Sequence, residues 1–120
     1  MSTQDTAGLI RAYHDAWTSR DFARATALLA GTLAVEVPVN DYPTTESFAA
    51  ALQSFGSMVT SVDVLAAMSA GDEAMLLYDV DVQRLGTLRV AEHFTVGHGK
   101  ITRIRQVHDT AAVRAAGLAG

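Results

Sequence analysis

The stretch LRVAEHFTVGHGKITRIRQVH, Leu88 to His108, alternates between apolar and polar residues on both sides of a glycine-bounded turn. Such alternation is typical of β-strands with one buried face, and GHGK is typical of a hairpin turn. Four apolar residues share one face of the first strand: Leu88, Val90, Phe94 and Val96. Glu92 lies in the middle of this row, where a carboxylate is costly to bury unless it is protonated, paired or hydrogen-bonded.

Further turn signals divide the second half of the chain into strands. Four strands are predicted at about residues 61–70, 74–82, 87–96 and 100–108, and they are separated by AGDE, QRLG and GHGK. Closely spaced strands with short connections predict an antiparallel meander.

The first half of the chain shows helical spacing of apolar residues. Three helices are predicted: one around residues 9–17, a short one from Phe22 to about Gly31, and one after an N-cap at Thr44 or Thr45. Between the second and third helices, TLAVEVPV (32–39) predicts a strand, and Pro38 keeps that end out of a central ladder. Helices covering one face of a curled sheet make an α+β domain, which commonly keeps a ligand-sized cavity.

Composition limits the partners. The 120 residues fit one domain, 1–120, and the net charge of −4 without a Lys/Arg cluster argues against nucleic acid or an anionic membrane as a partner. No apolar run approaches the roughly 20 residues of a membrane span. The N-terminus lacks the basic-then-apolar order of a signal peptide, so a cytoplasmic protein is expected. The Ala/Gly-rich residues 110–120 are expected to be loosely ordered.

Cofactor and metal chemistry is not predicted. Cysteine is absent, which removes thiol nucleophiles, disulfides and thiolate metal sites. The four histidines are scattered without metal-ligand spacing, and the GHGK glycines are not followed by a helix that would bind phosphate. We therefore expect no cofactor and no metal.

Three segments resemble the nuclear transport factor 2-like (NTF2-like) superfamily, in its ketosteroid isomerase and SnoaL-like branches. They are YHDAWTSRDFARATALLA (13–30), AVEVPV (34–39) and VAEHFTVGHGKITRIRQVHD (90–109), and with the order of elements the resemblance covers nearly the whole chain. It implies a cystatin-like cone in which three N-terminal helices pack on a curved, mixed, mainly antiparallel sheet. Because this superfold carries many reactions and also non-enzymes, the resemblance implies the fold more strongly than the activity.

The resemblance also implies roles for particular residues. The isomerases use a tyrosine on the first helix and a neutral acid on a late strand to bind an enolate oxygen, while an aspartate moves the proton. Tyr13 matches the tyrosine and Glu92 matches the acid. Val37 stands where the aspartate is expected, and Gln106 stands where the cyclases carry their acid. His108, or an ionised Glu92, is then left to handle the proton.

Each of these candidates also has a structural explanation. Tyr13 could be a core aromatic, His108 a solvated strand-end histidine, and Glu92 an edge residue or the partner of an arginine. His14 is expected to be exposed, and strand alternation directs Asp79 and Asp81 outward. The residues predicted to line the cavity are Trp17, Val37, Val39, Phe55, Tyr78, Val80, Val90, Phe94, Ile104 and Gln106.

Two functions remain open. In the first, the protein is an isomerase or cyclase that acts on an apolar steroid- or polyketide-like carbonyl compound by stabilising its enolate, with Tyr13, Glu92 and His108 as catalytic residues. In the second, it is a non-catalytic ligand-binding or dimerisation domain with an incomplete proton-transfer set. The expected partners are an apolar small molecule and a second copy of the chain, joined through the sheet.

Overall fold

Five strands form a single curved, mixed sheet in the computed structural model, which describes residues 2–118. The elements in chain order are α1 (Thr3–Thr18), α2 (Phe22–Ala27), β1 (Leu29–Glu36), α3 (Thr45–Gly56), β2 (Val59–Ala70), β3 (Glu73–Val82), β4 (Gly86–Gly97), β5 (Lys100–Val107) and α4 (Ala111–Ala115). The strand order across the sheet is β1-β5-β4-β3-β2. The predicted α+β class is confirmed.

The meander from β2 to β5 is antiparallel throughout, as the short turns predict. β1 pairs in parallel with β5 at one edge of the sheet. It runs from Leu29 to Glu36 and ends before Pro38, so the strand predicted over 32–39 begins and ends about three residues too late. Glu92 on β4 pairs with Leu76 on β3 and with Gln106 on β5. It therefore lies on the middle strand of three and not at a sheet edge.

The prediction of three N-terminal helices is wrong. The described residues contain four helices, and only α1 and α3 are long. α2 ends at Ala27 because the chain turns directly into β1, where the backbone oxygen of Leu28 accepts a hydrogen bond from the amide of Ile101. The fourth helix, α4, lies in the Ala/Gly-rich end of the chain, and its Val113 is buried.

The two long helices begin at capping boxes. Ser2 caps α1 reciprocally with Asp5, and Thr44 caps α3 reciprocally with Ser47. Thr45, the other candidate cap of α3, is instead buried, and its hydroxyl bonds the backbone of Ala30 and Gly31 in β1. These contacts attach the start of α3 to the edge strand.

The core lies between the helices and the inner face of the sheet. On α1 it includes Ile10, Tyr13, Ala16 and Trp17, as the helical spacing predicts. The prediction that His14 is exposed is wrong, since only 5% of its surface remains accessible. Its ring packs edge-on against other aromatic rings, so the buried face of α1 is wider than the apolar spacing indicates. Within residues 2–118, no helix is long and apolar enough to span a membrane.

Candidate functional site

A cavity of about 240 Å³ lies between α1, α3, the inner face of the sheet and the C-terminal segment. Its volume is just below the range of roughly 300–1,000 Å³ that is usual for ligand pockets. Its walls are mostly aliphatic and aromatic side chains, among which a few polar groups are placed. This is the composition of a site for a small apolar molecule.

Ten of the predicted site residues line this cavity: Tyr13, Trp17, Val37, Val39, Phe55, Tyr78, Val90, Glu92, Gln106 and His108. Val80, Phe94 and Ile104 do not line it, and each is fully buried in the core. Phe94 and Ile104 are paired neighbours on β4 and β5, one alternation step beyond the Glu92–Gln106 pair. The cavity therefore ends at Glu92 along these strands, which alternation alone does not reveal.

Ten further residues complete the cavity wall: Asn40, Tyr42, Phe48, Ala51, Leu52, Ser54, Met58, Leu88, Val113 and Leu118. Leu88 shares its strand face with Glu92, and Phe48 and Leu52 share a helix face with Phe55, so their periodicity could have identified them. Tyr42 and Leu118 lie in segments without periodicity. Only the path of the chain brings them to the cavity.

Glu92 is buried and hydrogen-bonded on both carboxylate oxygens. Oε1 accepts a bond of 3.0 Å from the Tyr78 hydroxyl, and Oε2 accepts one of 2.7 Å from Nε2 of Gln106. Burial raises the pKa of Glu92 to about 7, while the bonds from Gln106 and Tyr78 oppose this rise by stabilising the charged form. The cavity therefore holds a carboxyl group that changes charge near neutral pH.

The alternative explanation, in which Glu92 pairs with an arginine, is wrong. Both of its partners are neutral side chains, and the ion pairs within residues 2–118 involve other residues. The edge-residue explanation also fails, since Glu92 is only 1% exposed and lies on a central strand.

Tyr13 lies in the cavity wall, and its buried hydroxyl is unsatisfied. Its side chain is 1% exposed, and the hydroxyl has no hydrogen-bond partner among residues 2–118. Burial and then the nearby negative charge of Glu92 raise the pKa of Tyr13 well above its ordinary range, so the hydroxyl keeps its proton. The ring is held edge-to-face on Phe94 at a centroid distance of 5.9 Å. A buried donor without a partner is suited to bind an oxygen atom of a ligand.

His108 continues the inward row of β5 beyond Gln106 and is half-buried in the cavity wall. Its Nδ1 lies 2.9 Å from the backbone oxygen of Asp109. A carbonyl oxygen can only accept, so Nδ1 donates this bond. His108 therefore places an imidazole at the cavity.

Asp79 and Asp81 lie outside the cavity, as alternation predicts. Arg89 donates bonds of 2.8 and 3.0 Å to the two carboxylate oxygens of Asp79. Asp81 accepts from the hydroxyls of Ser61 and Thr87. Both carboxylates are occupied on the outer face of the sheet, so they supply no acid to the cavity.

Residues 2–118 contain no cluster of three or more histidine or acidic side chains that could hold a metal ion. His93, on the outer face, is instead 2.9 Å from Glu73, and His98 lies in the exposed β4–β5 turn. The titratable groups that the fold gathers at the cavity are thus phenols, one carboxyl and one imidazole.

Comparison with known proteins places this geometry in a family. The SnoaL-like domain matches residues 10–104. A crystal structure of a protein from Kribbella flavida is 30% identical, covers 93% of each chain and superposes with a TM-score of 0.86. An NTF2-like protein from Burkholderia xenovorans is 20% identical, with coverage of 97% of this chain and 98% of that chain and a TM-score of 0.75.

A second Kribbella flavida protein, provisionally named a ketosteroid isomerase, is 19% identical, with coverage of 91% of this chain and 81% of that chain and a TM-score of 0.78. No curated protein sequence matches this chain. The two structures that are less than 25% identical to this chain show only that the fold is shared. The NTF2-like neighbour shares the fold of this chain. Because the SnoaL-like match extends over most of the sequence, the chain belongs to the SnoaL-like family.

Proposed function

We propose that the protein binds a compact apolar carbonyl compound in this cavity and promotes proton transfer through its enolate, as an isomerase or cyclase does. The observation that carries the proposal is the pairing, in one apolar cavity, of a buried carboxyl group of pKa about 7 with a phenol that has no partner. Groups whose charge changes near the working pH, placed in a pocket, are typical of acid–base sites.

The roles follow from the hydrogen bonds. The ionised Glu92 takes a proton from the carbon next to the ligand carbonyl, and the electron pair of that C–H bond moves to the carbonyl oxygen. The free hydroxyl of Tyr13 donates to this developing oxyanion, an interaction typically worth a few kcal/mol in a dry site. Return of the proton from Glu92 to another carbon of the enolate gives the isomer. Attack of the deprotonated carbon on a second carbonyl group, whose oxygen takes up the proton from Glu92, gives a ring.

The small volume limits the ligand. A cavity of about 240 Å³ that is walled by residues such as Leu52, Phe55 and Val90 accommodates a compact molecule of one or two rings. Of the two ligand classes that the resemblance implies, this favours a small polyketide-like ring over a larger steroid.

A second function, ligand binding without catalysis, is favoured by a different observation. Val37 and Gln106 both lie in the cavity wall, and neither can transfer a proton at neutral pH. These are the positions at which the resembled isomerases and cyclases carry an acid. The two functions differ in whether Glu92 exchanges protons with a bound ligand.

The test uses two probes. β-Naphthol, a phenol that mimics an enolate, is titrated against the wild type, Tyr13→Phe and Glu92→Gln, with Glu46→Gln on the exposed first turn of α3 as control. Hydrogen–deuterium exchange at the carbon next to the carbonyl of β-tetralone is then followed by NMR. We expect Tyr13→Phe to weaken naphthol binding roughly tenfold, the equivalent of one hydrogen bond.

Glu92→Gln is expected to abolish catalysed exchange and to leave a folded protein, while Glu46→Gln behaves as wild type. Unchanged naphthol affinity in both cavity variants would overturn the proposal. Binding without exchange in the wild type would favour the non-catalytic function, and exchange that survives in Glu92→Gln would assign the proton transfer to His108.

We further propose that two copies of the chain associate through the outer face of the sheet. This face carries exposed apolar side chains on three strands, namely Met68 on β2, Met75 on β3 and Val107 on β5, which are 72%, 48% and 69% exposed. Met68 and Met75 are cross-strand partners. Exposed apolar side chains that adjoin one another, as Met68 and Met75 do, are typical of an interaction site.

A further inference from the structure

Within the described part of the chain, one end of the Gln106 side-chain amide is hydrogen-bonded to the protein, and the other end is not. Its Nε2 donates a bond of 2.7 Å to Oε2 of Glu92, its direct cross-strand neighbour. Its side chain lies in the cavity wall and is only partly buried. Within residues 2–118, its amide oxygen Oε1 has no hydrogen-bond partner. One end of the amide thus remains to be satisfied by solvent or by a ligand.

The carboxylate of Glu92 determines which end of the Gln106 amide has no partner. An ionised carboxylate accepts hydrogen bonds and cannot donate, whereas a primary amide has a donor end and an acceptor end. The Gln106 amide lies 2.7 Å from Oε2 of Glu92, which can only accept when the carboxyl is ionised. The donor end of the amide is therefore directed to Glu92, and the acceptor end is left for solvent or a ligand.

The unpaired polar groups of the cavity then differ in hydrogen-bonding type. Tyr13 offers a donor without a partner, and Gln106 offers an acceptor without a partner. Gln106 donates a hydrogen bond directly to Glu92, and the negative charge of Glu92 contributes to the raised pKa of Tyr13. A ligand that satisfies both must carry an acceptor and a donor on one compact frame.

We infer that Gln106 is a specificity-determining residue, and that the cavity selects a small cyclic carbonyl compound that also carries a hydroxyl group, with the carbonyl on Tyr13 and the hydroxyl donating to Oε1 of Gln106. This inference rests on the proposed function and narrows its substrate class to hydroxyketones and their enols. Sites that hydrogen-bond a ligand hydroxyl reject analogues without it strongly, because the buried acceptor is then left unpaired.

The test compares α-tetralone with the positional isomers of hydroxy-α-tetralone and with the methyl ether of each isomer. Affinities are measured by calorimetry for the wild type, for Gln106→Met and for a matched control, Gln53→Met, on the exposed side of α3. Methylation removes the donor and adds one methyl group, so a size effect is recognised because it persists in Gln106→Met. We expect at least one hydroxytetralone to bind the wild type about tenfold more tightly than its ether.

Gln106→Met is expected to reduce that preference to within about twofold while α-tetralone still binds, and Gln53→Met is expected to retain it. A wild type that binds every ether as well as its hydroxytetralone would overturn the inference, and this comparison needs no variant to fold. A preference that persists in Gln106→Met would overturn it as well. If α-tetralone binds with dependence on Tyr13 but no hydroxyl preference exists, the proposed function stands and this inference fails. If no tetralone binds, both fail.

Discussion

The hydroxyl of Tyr78 and Oε1 of Glu92 lie 3.0 Å apart across the β3–β4 pair, and both side chains are almost completely buried. The resemblance implies that Glu92 works together with Tyr13, but the acid is held by a strand tyrosine and not by the helix tyrosine. Tyr78 donates to Glu92, whereas the hydroxyl of Tyr13 has no hydrogen-bond partner within residues 2–118. The acid is therefore positioned by one tyrosine, and the other keeps a donor that a ligand could use.

Tyr78→Phe is expected to raise the pKa of Glu92 above its value of about 7, because it removes a hydrogen bond that stabilises the ionised form. The measurement is an NMR titration of the Glu92 side-chain carboxyl carbon. The matched control is Tyr42→Phe, which deletes a hydroxyl that bonds Asn40 in the same cavity wall. A carboxyl titration that is the same in all three proteins would contradict the hydrogen bond.

The stability of the protein is expected to depend on Glu92 between about pH 4.5 and 7. The folded-state pKa of about 7 lies above the ordinary value of 4.5, so the native state binds this proton more tightly than the unfolded chain does. This contribution is complete below pH 4.5 and is lost as the pH rises through 7. Its size is about 3 kcal/mol, since one pKa unit corresponds to roughly 1.4 kcal/mol.

Urea unfolding of the wild type and of Glu92→Gln across this range isolates the effect, since all other titrating groups are shared. We expect the wild type to lose stability relative to Glu92→Gln as the pH rises from 4.5 to 7. A constant difference between the two proteins would show that Glu92 titrates normally.

Tyr13→Phe is expected to separate stability from binding. Its hydroxyl makes no hydrogen bond within residues 2–118, so its deletion should leave the free energy of unfolding unchanged or increase it by up to about 1 kcal/mol. Naphthol affinity should nevertheless fall. Chemical denaturation and ligand titration of the same preparation check both. A clear loss of stability would mean that the hydroxyl is already satisfied by the protein.

His14→Phe is expected to stabilise the protein. The His14 ring packs edge-on at 5.3 Å from Trp17 and 4.9 Å from Tyr78, and neither ring nitrogen has a hydrogen-bond partner within residues 2–118. Phenylalanine keeps the ring contacts and removes two buried polar atoms, which should add about 1 kcal/mol to the free energy of unfolding at pH 7.

The stabilisation by His14→Phe should increase as the pH falls. Burial lowers the pKa of His14, with the charge of Asp15 opposing this weakly, so the unfolded chain takes up the proton first as the pH falls below 6.5. The neutral ring therefore costs the wild type stability between pH 6.5 and its lowered pKa. His98→Asn, in an exposed turn with φ 53°, serves as the control and should leave the acid response unchanged. An acid response that His14→Phe leaves unaltered would contradict a buried neutral imidazole.

Met75→Lys is expected to disrupt association of two copies, because a charge would be placed beside Met68, among the exposed apolar side chains of the outer face. Sedimentation equilibrium should show a dimer for the wild type and a shift toward monomer for this variant. Ala23→Lys, at an exposed position of α2, should remain dimeric. A wild type that stays monomeric at high concentration would contradict the proposed dimer.

Periodicity alone locates most of the sheet. The predicted strands differ from β2 to β5 by at most two residues at either end, because each has one buried face and is bounded by turn residues. The helices are less well predicted. Alanine-rich segments such as 111–115 lack an apolar stripe, and the burial of His14 depends on how α1 crosses the aromatic side chains of the core.

The sequence by itself determined that Glu92 lies on an apolar strand face and that Tyr13 lies on the apolar face of a helix, because side-chain direction follows from backbone period. Only the tertiary structure decided that Tyr78 and Gln106 bind the acid, that Tyr13 does not, and that the cavity ends before Phe94. The physical reason is that hydrogen-bond partners are set by strand register and by the seating of α1 on the sheet. Both depend on contacts between residues that are distant in the chain.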